Sequence, residues 1–335
     1  MSRAYAPPEV IDLAHARREA RIAGDWPRAD ELRAEIEAAG WTVVDRGVDF
    51  QLRPAVPPDV DRDGTTFYGA AGSVPSRLDE PASSRATVVA VAFDAATLTG
   101  IVTAAALLPS EVDLVAVANG IGEEIERGGG DGTDAARLEV VGTAGRFRIG
   151  AALNAGLRRS RGVTAIVLDS ASGDDGRHVA DLIAWLADGG IGSLERSLVV
   201  PTAAIVGLTG YASDDLRRFT TSDDREPVAV GGSIVAFRRA DLLARGPLDE
   251  RLGSQPAVDI WWSLVLRDEG EAQSPRRAVR LDEGPSHPGL GASGDQARLP
   301  RRDAYRLADR FAGSPHLLPI RDRGAASEAP EPTTA

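Results

Sequence analysis

The sequence predicts an α/β protein: a mostly parallel sheet with helices on both faces, preceded by a small module of helical hairpin and β-hairpin. Three observations lead there. From Ala86 onward, apolar runs of strand length alternate with segments of helical spacing. The apolar runs are continuous, as in strands buried on both faces. Before residue 54 the pattern changes to two helical stretches followed by two short strand-like segments.

In the N-terminal module, Ile11, Ala14, Arg18 and Ile22 share a helical face and Gly24 breaks the run. Asp25 stands before Pro27, a residue favoured in a first helical turn. Ala29, Leu32, Ile36 and Ala39 continue at helical spacing up to Gly40, placed as a C-terminal glycine. Two short strands follow, residues 41–44 and 48–52, around Asp45-Arg46-Gly47. Residues 54–85 are rich in Pro, Gly, Ser and Asp without periodicity and read as a flexible linker, and residues 319–335 as a disordered tail. Between them, 86–318 is expected as one domain. Its strands are 87–93, 112–118, 137–141 and 164–168, and its helices run through Leu107, over 149–159, and through Val179, Leu182, Ile183 and Leu186.

Composition removes several function classes. Cysteine is absent, so there is no disulfide, thiolate nucleophile or Cys-based zinc site. All 38 basic residues are arginine, which removes a P-loop lysine and a lysine Schiff base. Four scattered histidines exclude a His-rich metal centre. A net charge of −12 disfavours nucleic acid as a partner. No run approaches the roughly 20 apolar residues of a membrane helix, and the N-terminus lacks the apolar core of a signal peptide. The expectation is a cytoplasmic protein, held peripherally at the inner membrane face if its acceptor is a lipid.

The N-terminal pattern carries a resemblance. Ala16-Arg17 through Asp25-Trp26, Ala29-Asp30-Glu31-Leu32-Arg33, Ala39-Gly40-Trp41 and Val44-Asp45 resemble the extreme C-terminal module of cysteinyl-tRNA synthetases, a region that contributes to anticodon recognition there. Here eight arginines stand against ten acids over residues 1–53, a local net charge of −2 and a poor match for RNA. An intramolecular or protein-docking role is the expectation.

Open α/β sheets bind ligands beyond the carboxyl ends of their strands. Those ends carry Phe93-Asp94, Ala118-Asn119-Gly120 and Asp169-Ser170-Ala171-Ser172. A nicotinamide-dehydrogenase reading fails, because no glycine-rich turn follows the first strand. Asn119-Gly120-Ile121-Gly122 has Ile125 where the third glycine belongs.

Four blocks resemble the family-2-type inverting glycosyltransferases of the GT-A fold, over residues 86–312. They are Val115-Ala-Val-Ala-Asn119-Gly120; Arg148-Ile-Gly150 through Asn154-Ala-Gly156 with Arg161-Gly162; Ile166-Val-Leu-Asp169; and Gly231-Gly232 through Arg239, Gly246 through Glu250 and Asp259-Ile-Trp-Trp262 through Gly270. The resemblance implies transfer of a sugar from a nucleotide-sugar donor to a carbohydrate or lipid-linked acceptor. It implies Asp259 as general base, and Phe93, Asn119, Asn154, Asp169, Gly231 and Gly232 on the donor side. Trp261, Trp262 and His287 fall on the acceptor side, and Asp169 becomes the contact for a divalent metal, Mn or Mg. The chemistry wants such residues: a departing nucleoside diphosphate needs its charge neutralised, and an attacking hydroxyl needs a carboxylate to take its proton.

Each assignment has a plainer rival. Asp259 also fits the N-cap of a helix over 260–269. Adjacent tryptophans point about 100° apart on a helix, so one belongs to the core. Gly231-Gly232 serves either close approach to a sugar or a tight bend. Asn154 also fits a polar position inside a helix, and Asp249-Glu250 reads as loop-ordering. The sequence also departs from the family. Ala118 stands where an Asp is usual, and Ser170-Ala171 follow Asp169, so the second carboxylate of the DxD motif is missing. Two readings follow: an active transferase with a reduced metal site, or a catalytically inactive glycosyltransferase-like binding or scaffold protein.

Overall fold

The computed structural model describes residues 6–47, 49–55, 57–121, 137–169, 177–200, 202–285 and 294–319. At the N-terminus, α1 (Pro8–Ile22) and α2 (Trp26–Ala38) form the hairpin, turned at Gly24 with φ +75°. Asp25 caps α2 by accepting from the Arg28 amide. Gly40, at φ +78°, leads into β1 (Trp41–Arg46), which pairs antiparallel with β2 (Asp49–Pro54).

The buried face of α1 is one residue out of step with the expected one. Val10, Ala14 and Arg17 are buried, whereas Ile11 and Ile22 are exposed. Arg17 explains the rotation. Its guanidinium makes two hydrogen bonds to Asp45 on β1, at 2.7 and 3.2 Å, while its stem is buried with the helix face. That hydrogen bonding, with the charges of Arg17, Arg21 and Arg33, holds the Asp45 carboxyl below its ordinary range against the cost of burial. Val10, Ala14, Ile36 and Val43 make a core of their own.

The large sheet takes strands β3 (Val60–Arg62), β4 (Thr65–Tyr68), β5 (Ser84–Ala92), β6 (Val112–Ala118), β7 (Leu138–Thr143), β8 (Gly162–Leu168), β9 (Ala203–Ala212), β10 (Thr220–Ser222), β11 (Ala229–Arg238) and β12 (Arg277–Arg280). They lie in the order β10-β9-β11-β8-β5-β6-β7-β4-β3, with β12 pairing β9. Strands β4, β7, β6, β5 and β8 run parallel, and β11 is antiparallel to both β8 and β9. One face is covered by α3 (Ala95–Ala104), α5 (Arg177–Trp185) and α6 (Ile191–Val199) over Val88, Ala90, Leu114 and Ile166. The other carries α4 (Ile149–Leu157), α7 (Arg239–Arg245), α8 (Gln255–Arg267) and α9 (Arg301–Phe311) over Val89, Val115, Val167 and Phe237. The expected architecture, a mostly parallel sheet with helices on both faces, is therefore present.

The linker expectation is corrected. Residues 57–85 hold β3 and β4 at the sheet's edge, with β4 parallel to β7, and Ala71 and Val74 are wholly buried in the core. Polar composition misled because the segment is fixed through its backbone: carbonyls of Arg77, Leu78 and Glu80 all accept from the Arg239 guanidinium. The tail expected over 319–335 lies outside the described residues beyond residue 319.

Candidate active site at the carboxyl end of the sheet

Asp259 sits in the second turn of α8, not at its start. The helix begins after Ser254, with Pro256 in the first turn, so the capping explanation for Asp259 is overturned. Asp303 of α9 fixes that start by accepting from the Gly253 amide and the Ser254 hydroxyl. Four residues on, one turn further along the helix, the Asp259 carboxylate presses onto β11. Its Oδ2 accepts from the Gly232 amide at 3.1 Å and its Oδ1 from Gln255 Nε2 at 2.8 Å.

The two glycines are explained by this approach. A Cβ on Gly231 would lie 2.5 Å from Asp259 Oδ2, and one on Gly232 would lie 2.5 Å from Thr209 Oγ1. Gly232 is also at φ +101°, inside an irregular stretch where the β11–β9 register shifts between Gly231 and Val235. So the backbone approach is to the Asp259 carboxylate itself.

Asp169 follows β8 directly, and its amide donates to the Ser233 carbonyl at 2.9 Å, one residue beyond Gly232. It and Asp259 act on each other through their charges. Burial first, and then the charge of Asp169, push the Asp259 carboxyl well above the ordinary range, while the Gly232 and Gln255 hydrogen bonds pull it down. Tyr211 of β9 feels the same pair: burial raises its phenol, and both carboxylates add to that. Thr209 lies two residues before Tyr211 on β9, hence on the same face. Asp169, Thr209, Tyr211, Gly231, Gly232, Gln255 and Asp259 thus gather at one point.

The remaining expected residues sort differently. Asn119 is buried, and its amide brackets the backbone of Phe147, accepting from its N–H at 2.7 Å and donating to its carbonyl at 3.0 Å. Asn154 is buried too and holds the 246–250 loop, accepting from the Leu248 amide and donating to the Leu248 carbonyl. Both side chains bond to the fold's own backbone, and for Asn154 these contacts are those of a polar position inside a helix that holds a loop. Phe93 is half-buried at the end of β5, with the Arg146 guanidinium 4.9 Å from its ring centroid. Trp262 is 2% exposed and set edge-on to Phe237 at 5.3 Å, a core residue and not an acceptor platform. Trp261 packs edge-on to Phe311 of α9 at 5.1 Å. His287 lies outside the described residues.

Among the described residues no three His, Asp or Glu side chains cluster to hold a metal. Among the described residues, Asp169 alone stands at the position where a metal was expected, and one carboxylate does not make a metal site by itself. Nor is any helix of the described residues long and apolar enough to cross a membrane.

Sequence reasoning missed Gln255, Thr209 and Tyr211. The first was legible: Ser254-Gln255-Pro256 marks a helix start, and Gln255 then stands one turn before Asp259. The other two needed β9 and its pairing with β11.

The chain is similar in fold to solved glycosyltransferases. It covers 59% of a mannosyltransferase from Pyrobaculum calidifontis solved with GDP-Man and Mn2+, using 63% of its own length, at 17% identity and a TM-score of 0.36. Against GalNAc-T7, solved with UDP, GalNAc and Mn2+, 67% of this chain covers 48% of that one at 13% identity and a TM-score of 0.38. For residues 1–349 of TarS from S. aureus the coverage is 67% and 63%, the identity 11% and the TM-score 0.36. The N-terminal likeness is one of sequence. Fifty-three residues, 16% of this chain, are 47% identical to a cysteine–tRNA ligase of Opitutus terrae, of whose length the match spans 12%. Residues 5–53 match the cysteinyl-tRNA ligase anticodon binding domain family, and the N-terminal module is similar to that domain.

Proposed function

We propose that the protein is a glycosyltransferase that moves a sugar from a nucleotide-sugar donor to an acceptor hydroxyl with inversion. One observation carries this reading: Asp259 is buried at the carboxyl end of the sheet beside Asp169, its carboxylate in the space a side chain on Gly231 would fill and hydrogen-bonded to the Gly232 amide. In the reaction Asp259 takes the proton of the attacking hydroxyl as the oxygen bonds to the anomeric carbon. The bond from that carbon to the phosphate oxygen breaks, and its electron pair leaves with the nucleoside diphosphate. A carboxyl raised by burial is a stronger base once ionised, which suits the abstraction of a hydroxyl proton. Asp169 faces the donor side. A divalent metal, with Asp169 as its protein contact, would neutralise the leaving diphosphate. The cytoplasm is the proposed compartment.

The alternative, an inactive binding or scaffold protein, is favoured by the sequence, where Ser170-Ala171 follow Asp169 and the second carboxylate of the DxD motif is missing. For the N-terminal module we propose protein docking: Arg17, Arg18, Arg21, Arg28 and Arg33 are each ion-paired within it, leaving little free positive charge for RNA.

The deciding experiment incubates the purified protein with GDP-mannose, UDP-N-acetylglucosamine, UDP-glucose and dTDP-glucose, with Mn2+ or Mg2+, over an array of glycan and lipid-linked acceptors. Release of nucleoside diphosphate together with a glycosylated product, reduced about 10²–10⁴-fold in Asp259→Asn, is the expected result. Donor binding without turnover, identical in wild type and Asp259→Asn, would leave the scaffold reading in its place.

A further inference from the structure

We propose that Gln255 is the positioning residue of Asp259, setting the orientation of its carboxylate through a hydrogen bond that favours the ionised form. This deepens the reading of Asp259 as the base and rests on it for its catalytic meaning, though not for its geometry.

Residues four apart on a helix are neighbours, and Gln255 lies one turn N-terminal to Asp259 on α8. Its Nε2 reaches Oδ1 at 2.8 Å while the Gly232 amide reaches Oδ2 at 3.1 Å, so each carboxylate oxygen has one fixed donor. With both oxygens engaged, the plane of the carboxylate is set. Gly232 donates through its backbone N–H, which every substitution but proline keeps; Gln255 is the side-chain half of the clamp.

The environment makes that half matter. Asp259 is 4% exposed, and two further groups that titrate act around it, Asp169 at the end of β8 and Tyr211 on β9. From β11 it meets Gly231 and Gly232, which carry no charge. No cationic side chain among the described residues contributes to its electrostatics. For a buried carboxylate beside a second one, with no cation, hydrogen bonds to the charged form are what favours ionisation. Charge-assisted hydrogen bonds of this kind are about twice as strong as neutral ones.

The other end of the same amide supports the assignment. Gln255 is 7% exposed, and its Oε1 is buried without a hydrogen-bond partner among the described residues. A glutamine kept only to stabilise the fold would have both ends satisfied. This one is committed at its nitrogen to Asp259 alone.

The test is a titration that does not depend on turnover. Carboxyl 13C signals of aspartate-labelled protein are followed from pH 4 to 10, the Asp259 signal being the one lost in Asp259→Asn. In Gln255→Leu the midpoint of Asp259 rises by about one pH unit, since a donor to the ionised form is gone. In Gln255→Glu, the same shape with an added charge, it rises further. If transfer is detected, kcat falls in Gln255→Leu with the KM for acceptor unchanged, and its acidic limb moves up with the titration. A midpoint unmoved in folded Gln255→Leu, or in Gln255→Glu if the leucine variant does not fold, overturns the proposal. Absence of turnover with the midpoint moved leaves the proposal standing and removes only the transferase reading.

Discussion

The two ends of the large sheet are both rich in charge, yet only one is built like a site. At the amino end of β5 and β6 there is a cavity of about 440 Å³ lined by Ser83, Ser84, Arg85, Glu111, Asp113 and Arg161, among others. Its charges are mutually satisfied: Arg85 bridges Glu195 and Glu111, and Asp113 accepts from Ser84 and Arg161. At the carboxyl end the pattern reverses. Asp169 and Asp259 face each other's charge, and the buried Thr209 Oγ1 and Gln255 Oε1 have no hydrogen-bond partner among the described residues. Open space marks the first end and unmet polar chemistry the second. The difference teaches that a concave surface is not itself a site when its polar groups already answer one another.

The sharpest way to break this comparison is to disturb the carboxyl end without changing any of its chemistry. Gly231→Ala adds one methyl group 2.5 Å from Asp259 Oδ2, so the carboxylate must shift although every polar group remains. Turnover should fall about 10²-fold, as an ångström of misplacement costs. Stability should fall by about 1–3 kcal/mol from overpacking. Steady-state rates set beside a melting curve check both. Turnover unaffected in a folded variant would detach Asp259 from the chemistry.

Asn154→Ala comes next. The buried amide that holds the 246–250 loop on α4 is removed, and the Leu248 N–H and C=O lose their partner. A loss of about 2–3 kcal/mol is expected, with the donor dissociation constant of the folded variant unchanged. A donor affinity that drops while stability holds would restore Asn154 to the nucleotide side.

These two residues show how far the sequence could be read. Asn154 and Gly231 were both visible as parts of motif blocks, and the alternation of apolar runs located β5, β6 and β8 to within a few residues. What each polar residue touches was not visible, because that depends on partners 27 to 94 positions away in the chain. A motif match reports that a residue is placed, not whether it serves ligand or loop. Asp259 is held by Gly232 and Gln255 beside a second carboxylate, whereas the side chains of Asn119, Asn154 and Trp262 are engaged by Phe147, Leu248 and Phe237. The same limit hid β3 and β4, whose Pro- and Gly-rich sequence is ordered by β7 and by Arg239.

A smaller effect separates Asp259 as a charge from Asp259 as a shape. Its carboxyl is raised in the folded state, so the fold binds a proton that the unfolded chain has released. That contribution is fully present below the unfolded value, near pH 4, and is lost as pH rises through the folded one. Asp259→Asn removes the penalty of burying the charge, and the amide of Gln255 can turn over to accept from it. The variant should therefore melt a few degrees above wild type at pH 9 and no higher than it at pH 4. Melting curves across that range decide it. A variant less stable by the same amount at every pH would mean that the Asp259 charge is not under strain.

The smallest effect belongs to the amino end. Arg85 is about two-fifths exposed on its side chain and pairs with Glu111 and Glu195 at the surface. Arg85→Met removes both pairs and keeps the stem. Exposed pairs are worth about 0.2–1 kcal/mol, screened by salt, so the loss should shrink between 50 mM and 500 mM NaCl. Donor affinity and turnover should not change, because nothing in this network reaches the carboxyl end of the sheet. Denaturant midpoints at the two salt concentrations measure the first claim and a parallel rate measurement the second. A change in turnover at low salt would mean that the cavity at the amino end speaks to Asp259 through β5 and β8, and the contrast between the two ends would then be one of degree.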